Sequence, residues 1–124
     1  MKQATASAPQ LCTKFHHASE LIGRRWNGAI IFLLLKQTCR FATLRDGIPD
    51  ITDRMLSERL QELEEEGLVE RTVIPDTPVR VEYSLTKKGK ALAEPIRAIT
   101  DSAEKYVPAV EPRGKADKPA RKRR

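Results

Sequence analysis

TDRMLSERLQELEEEGLVERTVI, residues 52–74, changes its hydrophobic period partway along. From Thr52 to about Glu66 the apolar positions Met55, Leu56, Leu60 and Leu63 recur at helical spacing and form one stripe. Thr52 is a good N-cap residue, and Gly67 suits the left-handed residue that closes a helix. The opposite face carries Asp53, Arg54, Ser57, Glu58, Gln61 and Glu64. After Gly67 the period falls to two. Leu68 to Ile74 alternates loosely, and Val79 to Leu85 alternates cleanly, with Val79, Val81, Tyr83 and Leu85 against Arg80, Glu82 and Ser84. Pro75-Asp76-Thr77-Pro78 between them is a turn by composition, so the two runs predict a β-hairpin.

Upstream, Phe15, Ala18, Leu21 and Ile22 predict a helix from about Thr13 to Ile22, ended or bent by Gly23. A second helix is expected from about Trp26 to Lys36. Its stretch Ala29 to Leu35 is apolar nearly all round, as in a central core helix. Phe41 to Asp46 is a short helical segment, broken by Gly47, Pro49 and Asp50. Downstream, Thr86 caps a last helix expected to run to about Tyr106 with a kink at Pro95. The predicted order is α-α-α-α-β-β-α, mainly α with a small β-hairpin: the winged helix-turn-helix plan. The expected organisation is a flexible arm over residues 1–11, one domain over 12–107 and a disordered basic tail over 108–124.

The 124 residues suffice for one domain. The formal net charge of +6 is mostly a property of the tail. Residues 111–124 carry seven Lys/Arg and two Asp/Glu, whereas the other 110 hold 16 basic and 15 acidic groups. A basic tail attracts any polyanion by counterion release and does not make the folded part a DNA reader. The two cysteines, Cys12 and Cys39, show neither CxxC nor zinc spacing, and free thiols fit a reducing cytoplasm. Neither a signal peptide nor a membrane-length apolar run is visible, so a cytoplasmic protein without a membrane partner is expected.

The helix over residues 52–66 has the make-up of a reading head. One face locks to the scaffold, while Thr52, Asp53, Arg54, Ser57 and Gln61 face outward. Arg54 suits bidentate contact with guanine, and Ser57 and Gln61 are versatile polar readers. Asp53 and Glu58 repel phosphates, so they must meet cytosine amino groups, pair with arginine or point away. Arg80, near the hairpin tip, suits backbone or minor-groove contact. Lys87, Lys88 and Lys90 suit either phosphates or plain solvation. The competing reading of the same face is the solvated side of an ordinary helix.

Several segments resemble the HxlR family of MarR-like winged-helix regulators. Leu21-Ile22-Gly23-Arg24-Arg25-Trp26-Asn27-Gly28 is similar to that family's "IGGKW" signature. Arg40-Phe41, Ile48-Pro49, Ile51-Thr52, Met55-Leu56-Ser57, Arg59-Leu60 and Leu63 match its helix-turn-helix. Gly67 to Arg71 and Val79 to Thr86 match its wing. The resemblance spans roughly Cys12 to Tyr106. It departs from the family at Gln37-Thr38-Cys39, where a Gly-Pro pair is usual, so an altered turn into the reading head is expected.

The resemblance implies a sequence-specific DNA-binding transcription regulator, a repressor, acting as a homodimer through its first and last helices on pseudo-palindromic double-stranded DNA. The apolar residues Phe15, Leu21, Leu92, Ile96, Ile99 and Tyr106 independently favour a covered surface. The alternative is a protein–protein adaptor that keeps the winged helix without reading DNA; the acidic residues Asp53, Glu58, Glu62 and Glu64 to Glu66 speak for it. Cys12 aligns with an N-terminal cysteine that, in some family members, senses quinones, aldehydes or disulfide stress. A helix N-terminus, Lys14 and His16 favour the thiolate there. Two readings of Cys12 stand, a sensor of oxidants or electrophiles and a packing residue. Cys12, His16 and His17 are poorly spaced for a metal. No orienting residue or oxyanion loop marks an enzyme, so no cofactor, metal or catalysis is expected.

Overall fold

A computed structural model describes residues 8–110. The expected arm and tail therefore lie outside the described residues over 1–7 and 111–124. Helix α1 is Thr13–Gly23 and α2 is Asn27–Lys36. A two-residue strand β1, Cys39–Arg40, leads into α3, Phe41–Gly47, and then α4, Asp53–Glu65. The hairpin is β2, Val69–Ile74, with β3, Arg80–Leu85. Two helices close the chain, α5 over Lys87–Lys90 and α6 over Ala93–Tyr106.

The core is a single cluster in which α2 supplies Ile30, Ile31 and Leu34, α4 supplies Leu56, Leu60 and Leu63, and the sheet supplies Val69, Tyr83 and Leu85. The expected stripe of the 52–66 helix is the one that is buried, and α2 is the central helix. The sheet has the order β1-β3-β2, all antiparallel, with Val69 opposite Leu85 and Val73 opposite Val81. Burial follows the alternation only at the hairpin's base. Toward the tip, Val73 and Val79 are exposed.

Two local readings change. Strand β1, paired through Cys39 with Tyr83 and Arg40 with Glu82, was not foreseen, since two residues carry no period. The last helix is two helices, separated at Ala91 and Leu92. Pro95 lies in the first turn of α6, where its missing N–H is one a helix start lacks a partner for anyway, so it needs no kink. Helix α2 begins at Asn27, with Trp26 at a left-handed φ of 78° as its cap residue. A bulky residue held there stores roughly 1–3 kcal/mol and persists only if its surroundings hold it. Asn27, fully buried, donates through Nδ2 to the Leu21 carbonyl at 2.8 Å. Arg25 stacks 4.6 Å from the Trp26 ring centre.

Gly67 adopts φ +80°, as its place after α4 requires. Gly89 in α5 is needed for space: a Cβ there would overlap the Leu68 carbonyl oxygen. This close approach seats α5 against the base of the hairpin.

Candidate nucleic-acid interface

Thr52 opens α4 by accepting a hydrogen bond from the Met55 amide through Oγ1 at 3.1 Å. That cap fixes the helix start, and with the buried Leu56, Leu60 and Leu63 it fixes which side faces out. Asp53, Arg54, Ser57, Glu58 and Gln61 are all exposed on that side. The structure thus brings the four α4 candidates, Asp53, Arg54, Ser57 and Gln61, onto one face, with Thr52 as the cap before them. Arg80 lies apart, at the start of β3.

The charges on these surfaces are paired. Arg54, with its side chain 87% exposed, holds Glu58 at 3.2 Å across one helical turn. Arg45 of α3 reaches Asp53 at 3.5 Å and Asp46 at 3.4 Å. Arg80 is clasped by Asp76 at 3.2 Å and by Glu82 at 3.3 Å. Its Nε nevertheless forms no well-aligned hydrogen bond, so the Glu82 contact is Coulombic in character. Asp53 and Glu58 therefore take the arginine-pairing option among those open to them. The Arg54–Glu58 pair was legible from its spacing. Arg45–Asp53 spans the turn between two helices, and no local pattern announces it.

The other end of α4 is fastened to the first helix. Arg59, only 8% exposed, donates through Nε to the Arg25 carbonyl at 2.9 Å and holds Glu62 at 3.4 Å. Glu62 also meets Arg24 at 3.1 Å, and His17 meets Glu66 at 3.3 Å. A cleft of about 560 Å³ lies between these ties, lined by His17, Glu20, Arg24, Glu62 and Glu66 among others. Sequence reasoning placed Arg59 only within a motif. An arginine at the edge of an apolar stripe was the signal that it is buried.

Cys12 is exposed and is the N-cap of α1, with its sulfur accepting from the Phe15 amide at 3.5 Å. His16, expected beside the thiol, approaches Glu20 at 3.9 Å, and its amide bonds the Cys12 carbonyl. Cys39 is buried in β1 and donates to the Gln37 carbonyl at 3.4 Å; burial pushes its thiol pKa up. Among the described residues no group of His, Cys, Asp and Glu is arranged to hold a metal. None of their helices is long and apolar enough to cross a membrane.

Helix α1 buries none of its residues, and α6 buries only Ile96. Phe15 at 64%, Ile99 at 58% and Tyr106 at 75% exposure leave both helices with apolar surface in water. Leu11, Val107 and Val110 extend it.

Comparison with known proteins gives concordant matches. The profile described as "HxlR-like helix-turn-helix" matches residues 21–111. The uncharacterized HTH-type transcriptional regulator YvaP of Bacillus subtilis (strain 168) is 46% identical over 98 residues, which cover 79% of this chain and 91% of YvaP. The HTH-type transcriptional regulator YodB of the same organism is 50% identical over 82 residues, 66% of this chain and 73% of YodB. The structure of reduced YodB is similar with a TM-score of 0.72 and 41% identity, covering 82% of this chain and all of that one. Diamide-treated YodB, with the same coverage, gives 0.68 at 42% identity. Quinone-bound YodB gives 0.67 at 39%, covering 77% of this chain and all of that one. The redox regulator HypR in its reduced form gives 0.71 at 34% identity, over 74% of this chain and 91% of that one.

Proposed function

From the premise that this chain belongs to the HxlR-like helix-turn-helix family, we propose that it is a sequence-specific DNA-binding transcription regulator, a repressor acting as a homodimer. The observation that carries the proposal is the α4 surface. A side-chain-capped helix locked by three leucines presents Arg54, Ser57 and Gln61 outward, in a fold whose hairpin carries Arg80. Helices so built enter the major groove, and a dimer sets two of them about 34 Å apart, one turn of DNA. Helices α1 and α6 supply the dimer surface: Leu21 and Ile96 turn to the protomer's own core, but Phe15, Ile99 and Tyr106 remain exposed.

Cys12 is the proposed point of control. Its relatives include proteins described as diamide-treated and quinone-bound YodB and as the redox regulator HypR. Diamide would oxidise the Cys12 thiol together with a second thiol, that of a small molecule or of Cys12 on the other protomer, and be reduced to its hydrazine. A quinone would form a carbon–sulfur bond to Cys12, with the thiol proton and the displaced ring proton ending on its two oxygens, to give a hydroquinone thioether. Either product changes the acceptor that caps the first turn of α1. Because α1 is tied to α4, the displacement reaches the reading helix.

The test is fluorescence anisotropy on a duplex enriched by the protein from a random-sequence pool, with random duplex as control. Preference for the enriched duplex, lost with diamide and restored by reductant, is the expected result, and Cys12→Ser should bind without responding. A mutant released as readily as the wild type removes Cys12 from the mechanism. Absence of any salt-sensitive preference for DNA would favour the adaptor reading instead.

A further inference from the structure

The arginines of the reading surface are already engaged before any ligand arrives. Arg54 is held by Glu58, Arg80 by Asp76 and Glu82, and Arg45 by Asp53 and Asp46. The balance extends over the whole folded part, since residues 8–110 hold 15 Lys/Arg and 15 Asp/Glu. A surface built simply to attract phosphates would carry these arginines unpaired.

Resting on the DNA-reading proposal, we propose that Glu58 and Asp76 are specificity-determining residues that hold Arg54 and Arg80 away from phosphates until a matched sequence displaces them. An exposed ion pair is weak, so a guanine offering two acceptors to Arg54 displaces Glu58 readily. A lone phosphate offers one Coulombic contact and brings its own negative charge up against the carboxylate. In the matched complex Arg54 has already left Glu58, so neutralising Glu58 relieves only a repulsion. In a mismatched complex the same change relieves that repulsion and also frees an arginine for the backbone. Removing the carboxylate therefore favours wrong DNA more than right DNA.

The experiment compares the full chain with Glu58→Gln and Asp76→Asn on the enriched and the random duplex, at several salt concentrations. Both carboxylates are solvent-exposed, and far-UV circular dichroism verifies folding. Glu58→Gln should bind random duplex about fivefold and enriched duplex about twofold more tightly, while Asp76→Asn, in which Glu82 still holds Arg80, should gain about twofold on random duplex and less on enriched duplex. The salt slope on random duplex should steepen by up to about 0.9 for each arginine freed. Glu70→Gln, exposed at the base of the hairpin opposite Ser84 and equal in charge change, should shift neither affinity. Equal gains on both duplexes, or none on random duplex, overturn the inference while leaving the DNA-reading proposal intact. A loss confined to the enriched duplex also overturns it, for Glu58 would then be reading a cytosine amino group directly. A wild type that enriches no duplex at all removes the DNA-reading proposal and this inference with it.

Discussion

Replacing Arg59 tests how α4, the proposed reading helix, is held. Its guanidinium is nearly buried and makes two kinds of contact, a 2.9 Å hydrogen bond to the Arg25 carbonyl and a 3.4 Å ion pair with Glu62. The first is a charge-assisted bond in a part-buried place, worth about 1.5–3 kcal/mol net. It also leaves a carbonyl without that donor when removed, beside the left-handed Trp26. The second involves a carboxylate still 36% exposed, and such pairs contribute about 0–1 kcal/mol. Arg59→Met, which keeps the apolar stem, should therefore destabilise by about 2–3 kcal/mol. Arg59→Ala should cost roughly 1 kcal/mol more through lost stem packing, while Glu62→Gln, which gives up the Arg24 pair as well, should cost about 1 kcal/mol. The assay is urea unfolding at fixed protomer concentration, since any dimer makes stability concentration-dependent. Far-UV circular dichroism follows the helices, and the fluorescence of Trp26, the chain's one tryptophan, follows the joint itself. A cost for Glu62→Gln equal to that of Arg59→Met would refute the reasoning, because the ion pair and not the carbonyl bond would then be the fastening.

Two further outcomes follow from the packing. Gly89→Ala gains up to about 1 kcal/mol of helix propensity but pushes a methyl into the Leu68 carbonyl, and overpacking of this kind costs about 1–3 kcal/mol or more. Calorimetry should show it less stable than wild type, whereas Gly23→Ala, with nothing within 4 Å, should be neutral or slightly stabilising. Burial raises the Cys39 pKa, so the folded protein keeps a proton that the unfolded chain releases first. Its contribution to stability is full below the ordinary thiol value of 9.0 and is lost as pH rises through the folded pKa. Unfolding titrations should show this alkaline loss diminished in Cys39→Ser, and iodoacetamide should label Cys12 well before Cys39.

Most of the fold was readable because its signals are long. The stripe Met55, Leu56, Leu60, Leu63 spans two turns, and the switch to period two after Gly67 marks the hairpin without reference to anything distant. The signals that failed were short or non-local. Cys39 and Arg40 form a strand only because Tyr83 and Glu82 lie beside them. Pro95 misled as a kink because the true break, at Ala91 and Leu92, comes where Gly89 must abut Leu68, a contact 21 positions apart in sequence. The outward face of α4 was likewise visible as composition, but its electrostatic state was not. Arg45–Asp53 and Arg80–Glu82 depend on how a turn and a strand bring side chains together.

The same contrast bears on how a signal at Cys12 could reach DNA. Helix α1 buries no residue in its own protomer, so hydrophobic packing alone does not fix its position. What holds it within the protomer is the packing of Leu21 on the core cluster and three polar ties: His17 to Glu66, Arg24 to Glu62, and Arg59 to the Arg25 carbonyl at its end. All three ties lead to α4. The two exposed pairs are worth at most about 1 kcal/mol each, and a modified thiol can shift the reading helix by no more than the energy these ties transmit. Together with the Arg59 bond they carry a few kcal/mol, and a coupling of about 1–3 kcal/mol already changes affinity some 5- to 150-fold. A helix anchored by a large apolar core would transmit little, because moving it would cost more than one thiol adduct supplies. On the proposed reading, the poor burial of α1 is the property that lets a single exposed sulfur govern a surface at the other end of the fold.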